Sequence, residues 1–103
     1  MTLYEPELTE VPVLAVLQAL ADPTRLEIVR DLADDGGERL CGSFAPALAK
    51  ATRSHHFKVL REAGLTRTRV DGTARYVRLR ADELRRVFPG LLDSILVRTP
   101  AGR

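Results

Sequence analysis

Residues 52–65, Thr-Arg-Ser-His-His-Phe-Lys-Val-Leu-Arg-Glu-Ala-Gly-Leu, admit little besides a short two-faced helix stopped by a glycine. Phe57, Leu60 and Ala63 recur at helical spacing and turn to one side, while Ser54, His55, Lys58, Arg61 and Glu62 are left for the other. Gly64 stands where the left-handed residue that ends a helix is least strained. The period then changes. Thr, Val, Tyr and Leu over 65–70 and 73–80 flank Asp71-Gly72, a strong local hairpin signal. Val77 and Leu79 alternate with Tyr76, Arg78 and Arg80, so one face of the hairpin can pack on helices while the other stays cationic.

The rest of the chain supplies helices around that pair. Residues 1–8 read as an extended arm. Val13, Leu14, Val16, Leu17 and Leu20 give a helical stripe over about Thr9–Ala21, with Thr9 as N-cap and Pro12 in the first turn. Asp22-Pro23 closes that helix and opens another, which carries Leu26, Ile28, Val29, Leu32 and Ala33 and stops at Gly36-Gly37. Over 38–49 the signals are mixed: Arg39-Leu40-Cys41 suits a short strand, Gly42 and Pro46 oppose a long helix, and Ala45–Ala51 has room for one or two turns. Asp82 and Glu83 suit a helix start. Leu84, Val87 and Phe88 form a stripe after it, Pro89-Gly90 break it, and Leu91, Leu92, Ile95 and Leu96 resume it. The order predicts one domain over 1–103, with two N-terminal helices in 9–35, a helix-turn-helix in 43–63, a wing in 65–80 and a helical segment in 82–97. The class is α+β, mostly α with a small β-hairpin: a winged helix-turn-helix, its terminal helices forming a dimer interface.

A chain of 103 residues, 45% apolar, can build a core but leaves roughly a third of its unfolded-state surface exposed. A second copy is a natural way to bury more. The formal charge of +2 conceals an asymmetry: residues 1–40 hold nine acids against Arg25, Arg30 and Arg39, a net of −6, whereas 41–103 hold thirteen basic groups and five acids, a net of +8. Lys50, Arg53, Lys58, Arg61, Arg67, Arg69, Arg75, Arg78 and Arg80 crowd into 50–80 against only Glu62 and Asp71, the footprint of a polyanion-binding face. No apolar run approaches the ~18–20 residues that span a bilayer. The acidic start, with Glu5, Glu7 and Glu10, is unlike a signal peptide, so the expected location is cytoplasmic. A single cysteine, Cys41, excludes an intramolecular disulfide and a multi-cysteine zinc site.

Three stretches resemble the ArsR/SmtB-type bacterial repressors: Ala19-Leu-Ala-Asp-Pro-Thr-Arg-Leu-Glu-Ile-Val29, the family's helix-to-helix junction; Ser54-His-His-Phe-Lys-Val-Leu-Arg-Glu-Ala-Gly-Leu65, its recognition helix; and Val70-Asp-Gly-Thr-Ala-Arg-Tyr-Val-Arg-Leu79, its wing. Together they span about 19 to 80. The resemblance implies a homodimer that sits on operator DNA and leaves it when an effector arrives. The metal-sensing members carry a Cys-x-Cys-type pair where this chain has Leu40-Cys41-Gly42-Ser43-Phe44, and others place His ligands on a last helix that here has none. The family's known metal sites are therefore missing, and Arg53 stands where the family often has an apolar residue.

The candidate contacts to double-stranded DNA are Lys50, Thr52, Arg53, Ser54, His55, His56 and Lys58 on the helix and Arg67, Arg69 and Arg75 on the hairpin. A solvated helix face is the weaker alternative for the former, given the basic hairpin beside it, and His56 is as well suited to packing as to contact. Adjacent His55 and His56 point about 100° apart on a helix and do not share one metal ion. No nucleophile, acid pair or phosphate-cradling loop suggests an enzyme, and no cofactor is expected. Cys41 is either a redox handle or a buried inert thiol. The terminal stripes are either core or a shared interface. Because they flank the motif at both ends, Val13, Leu14, Leu17, Leu84, Val87, Phe88, Leu91, Leu92, Ile95 and Leu96 are expected at a homodimer contact. The chain thus reads as a dimeric regulator on a palindromic operator, with a small-molecule effector left open. A winged helix used as a protein-interaction module, without a specific operator, is the competing reading.

Overall fold

The computed structural model describes residues 3–97. Helices α1 (Val13–Leu20), α2 (Pro23–Asp35) and α3 (Lys50–Glu62) precede a hairpin of β2 (Thr66–Asp71) and β3 (Ala74–Leu79), and α4 (Ala81–Val87) and α5 (Leu91–Leu96) follow it. A two-residue strand β1 (Arg39–Leu40) pairs with the far side of β3, giving an antiparallel sheet in the order β1-β3-β2. The class is α+β, as the alternation of periods implies. No helix among the described residues is long and apolar enough to cross a membrane.

Helix α2 begins where its sequence says it should. The Asp22 carboxylate accepts the Arg25 N–H at 3.0 Å, Pro23 follows in the first turn, and Gly36 ends the helix at φ 71°. The start of α1 differs from expectation. Thr9 does not cap it but lies in a 3-10 turn, Leu8–Glu10, and Pro12 is the last extended residue before the helix. Proline disfavours helical geometry in the residue before it, and Val11 is extended accordingly.

The segment before α3 forms a 3-10 turn, Cys41–Ser43, then a loop in which Ala45 takes φ 43°. No α-helix forms there, because Gly42 and Pro46 bracket too few residues to nucleate one. Phe44 holds the loop instead: it is 2% exposed and meets Phe57 edge-on, ring centres 5.5 Å apart.

Phe57, Leu60 and Ala63 enter the core from α3 beside Val16, Val29, Leu32, Leu65 and Val77. Leu84 and Leu92, expected at a dimer contact, are 1% and 2% exposed and belong to this same core. Val87, Phe88, Leu91, Ile95 and Leu96 are half-buried against it. With two short helices folded back at Pro89-Gly90, the C-terminal stripe closes the subunit's own interior. Val13, Leu14 and Leu17 on α1 remain 49%, 61% and 44% exposed.

Candidate nucleic-acid interface

Helix α3 and the hairpin are fixed at their junction by backbone geometry. Gly64 sits at φ 81°, its N–H donates to the Arg61 carbonyl at 3.1 Å, and the Leu65 N–H reaches the Leu60 carbonyl at 3.0 Å. That paired closure, with Leu60 and Leu65 both buried beside it, sends the chain from helix to strand in one residue. The hairpin then returns through Gly72 and Thr73 between paired Asp71 and Ala74, with Gly72 at φ 61°. This is the position a two-residue hairpin turn gives to glycine, one residue later than the Asp71-Gly72 centre expected from sequence.

Between the two elements lies an open cleft of about 1030 Å³. Lys50, Arg53, Ser54 and Phe57 line its helix side, Val70, Gly72, Thr73, Ala74 and Arg75 its hairpin side, and Leu40 to Ser43 its end. The first turn of α3 carries no side-chain cap, so its free N–H groups and positive dipole end stand at this cleft. Thr52, Ser54, His55 and Lys58 are exposed on the helix. Lys50, Arg53 and Ser54 of the helix and Arg75 of the hairpin therefore share one cationic opening, whereas Thr52, His55 and Lys58 are exposed outside its lining.

Several candidate residues are placed elsewhere. His56 turns toward α2, its side chain 12% exposed, with Nδ1 3.2 Å from Arg25 Nη1. Arg61, grouped with the solvent face in the sequence reading, is buried and donates from Nε to the Tyr4 carbonyl at 3.2 Å. Arg67 lies at the hairpin's base and pairs with Glu5 at 3.2 Å and Glu83 at 3.3 Å. Arg69 is exposed but engaged: Glu38 accepts from its Nε at 3.0 Å, and its guanidinium lies 4.4 Å from the Tyr76 ring centre. That hydrogen bond holds the Glu38 carboxyl below its ordinary range. Of the three wing arginines, only Arg75 has no carboxylate in ion-pair range among the described residues.

Arg80 shows why the base of the hairpin is structural. It is 2% exposed, donates to the Pro6 carbonyl at 2.9 Å and meets Glu83 at 2.7 Å. Arg80, with Arg67 behind it, drives the Glu83 carboxyl down to about 2. Sequence reasoning missed that acids of the N-terminal forty residues neutralise part of the basic segment. The opposed charge blocks are the available signal, but the pairings bridge 31 to 63 residues and carry no local pattern. Cys41 opens on the cleft half-buried, and burial pushes its thiol up, which keeps it protonated rather than reactive.

The comparisons with known proteins agree with this geometry. A family model described as a helix-turn-helix domain matches residues 20–69. The uncharacterized HTH-type transcriptional regulator YceK of Bacillus subtilis is 44% identical over 82 residues, 78% of this chain and 82% of its own length. A second, from Methanocaldococcus jannaschii, is 32% identical over 82 residues, 78% of this chain and 90% of its own. A crystal structure of a possible transcriptional regulatory protein from Mycobacterium bovis superposes with a TM-score of 0.65 at 33% identity, over 81% of this chain and 88% of that one. Another, of a possible transcriptional regulator for arsenical resistance, gives 0.60 at 35% identity, over 79% and 83%. With helix α3, the wing at its side and relatives matched along most of their length, the chain belongs to the ArsR-type helix-turn-helix transcriptional regulators, a non-enzymatic class.

Proposed function

We propose that this regulator is a homodimeric repressor that binds an imperfect palindrome in double-stranded DNA, with α3 in the major groove and the wing along the phosphates. The observation that carries the proposal is the single cationic cleft bounded by the α3 N-terminal turn and the hairpin tip. Thr52, Ser54 and His55 supply hydroxyl and imidazole groups for base edges, and Lys50, Arg53, Lys58 and Arg75 supply phosphate contacts. The exposed α1 stripe of Val13, Leu14 and Leu17 supports the second copy, since an apolar helix face of this kind is ordinarily covered. Two reading helices related by a twofold axis call for half-sites about one helical turn apart. Among the described residues no group of His, Cys, Asp and Glu is placed to hold a metal ion, and the effector fitting this reading is a small organic molecule.

Selection of bound duplexes from a randomised pool, followed by footprinting, tests the proposal. The expected product is a palindromic consensus. His55→Ala or Lys58→Ala weakens its binding while leaving the dimer intact, and Leu14→Asp with Leu17→Asp yields a monomer in sedimentation. Equal affinity for all duplexes at moderate salt overturns the proposal. The interaction-module reading loses footing, because its acidic segment is already engaged: Glu5 and Glu38 hold Arg67 and Arg69.

A further inference from the structure

Arg25 lies outside the cleft and no requirement of the reading above involves it, yet it touches three helices at once. Its Nε donates to the Ala19 carbonyl at 2.6 Å and its Nη2 to the Gln18 carbonyl at 3.5 Å, both at the C-terminal end of α1. Its Nη1 meets His56 Nδ1 on α3 at 3.2 Å. Its own N–H is held by the Asp22 carboxylate at 3.0 Å, at the start of α2.

The last carbonyls of a helix lack full pairing within it: that of Gln18 already accepts from the Ala21 N–H at 3.2 Å, and the guanidinium satisfies that of Ala19. A guanidinium is also planar and purely donating. It can serve α1 and His56 together only for a narrow range of relative placements of the two helices. The α1 helix exposes the apolar face at Val13, Leu14 and Leu17, and α3 carries His55 and Lys58 beside His56.

We propose that Arg25, through His56, is the positioning residue that ties α1 to α3 and thereby sets the reading helix's approach to base edges. The inference rests on the DNA-binding reading above and adds a residue that touches no DNA. It separates two properties of binding. General attraction to a duplex comes from Lys50, Arg53, Lys58 and Arg75, for none of which is a hydrogen bond or ion pair to Arg25 or His56 found among the described residues. Discrimination among sequences requires α3 side chains to be aimed, and a helix free to rock loses it first. Arg25 only donates, so its contact with His56 is a hydrogen bond when Nδ1 accepts and the ring hydrogen sits on Nε2, whereas a hydrogen on Nδ1 would turn the ring toward the Asp22 carboxylate 3.9 Å away.

The test uses the full chain and two probes: the duplex enriched by the wild type from a randomised pool, and a scrambled duplex of the same composition. The variants are Arg25→Ala, Arg25→Lys, His56→Ala and the double change of Arg25 and His56 to Ala. His56→Ala leaves the α1 carbonyl contacts of Arg25 in place, so it carries the test if Arg25→Ala does not fold. Arg25→Ala and His56→Ala are each expected to lower the enriched-to-scrambled affinity ratio roughly tenfold, a usual scale for coupling between sites. The double variant loses no more than either single one. Affinity for the scrambled duplex stays as it was, and Arg25→Lys, which keeps the charge but not the fork, restores the ratio only in part. Nitrogen NMR of the His56 ring adds a readout independent of DNA: an Nε2–H tautomer in the wild type, mixed tautomers in Arg25→Ala. A folded His56→Ala protein with the wild-type ratio, or a wild-type ring carrying its hydrogen on Nδ1, overturns the inference while leaving the regulator reading intact. A wild type with no preference between duplexes overturns both.

Discussion

Glu83 shows how one carboxylate secures the base of the wing. Its oxygens accept from Arg80 Nη2 at 2.7 Å and Nε at 3.2 Å, and Arg67 approaches at 3.3 Å. The Arg80 side chain is fully buried, so without this partner its charge is left in a poorly solvated site. Because folding depresses the Glu83 pKa from 4.5 to about 2, the ionised form favours the native state. That stabilisation is complete above the unfolded-state value, declines once pH falls below 4.5, and is lost on passing about 2. Glu83→Gln is expected to cost about 2 kcal/mol at neutral pH, moderated by the water that reaches one edge of the carboxylate. Urea unfolding of both proteins across this range checks it: the gap between wild type and variant closes as pH falls, and a gap that widens refutes the assignment. Asp22 follows the same sign more weakly, its carboxyl lowered by the backbone hydrogen bond from Arg25.

At the level of elements, the two glycines that shape the reading unit differ in what surrounds them. A Cβ on Gly64 meets Leu8 Cδ1 at 2.5 Å and Val11 Cγ2 at 3.4 Å, whereas one on Gly72 meets nothing within 4 Å. Both have positive φ, so each alanine carries a backbone cost of about 1 kcal/mol. Gly64→Ala adds displacement of Leu8, 2% exposed in the core, and is expected to cost about 3 kcal/mol in all, against about 1 for Gly72→Ala. Thermal unfolding of the two variants side by side measures the difference; equal losses refute the packing argument. The contrast also marks how far sequence reading reaches. Asp22-Pro23, the Phe57–Leu60–Ala63 stripe and the glycines at 36, 64 and 72 are local signals, and each has its structural counterpart. The loop at 41–49 was illegible because Phe44, not a helical period, anchors it. Leu84 and Leu92 were misassigned to an interface since an amphipathic stripe does not say whether its cover is the same chain or another. The turn of His56 toward Arg25 and the engagement of Arg67 and Arg69 depend on partners 16 to 62 residues away, which periodicity does not encode.

For the molecule as a whole, the relevant charge is what the fold leaves unpaired. Glu5 holds Arg67 and Glu38 holds Arg69, so the acidic first forty residues cancel part of the basic block they pack against. Lys50, Arg53, Lys58 and Arg75 have no carboxylate in ion-pair range among the described residues. The salt dependence of DNA binding should therefore follow these groups and not the total of +8. On duplex DNA each neutralised phosphate contributes a slope of about 0.9, so Arg75→Ala, acting twice in a dimer, should make the salt dependence shallower by about 2. Arg69→Ala should change it far less, because the residue already answers to Glu38 and lies over Tyr76. Glu38→Gln reverses that state. It removes the nearer carboxylate and leaves the exposed Asp71 at 3.9 Å and the Tyr76 ring beside the guanidinium, so that up to one more cation per subunit reaches the phosphates. Binding at low salt should tighten, and the slope should steepen by up to about 2. Carrying Arg69→Ala in the same chain should abolish the gain, which assigns it to Arg69 and not to the mere loss of a negative charge. Titrations of one fixed duplex across a salt series, in wild type and these variants, decide the matter. Equal effects of Arg69→Ala and Arg75→Ala, or a gain in Glu38→Gln that survives without Arg69, mean that long-range charge governs binding and the pairing seen at the wing does not.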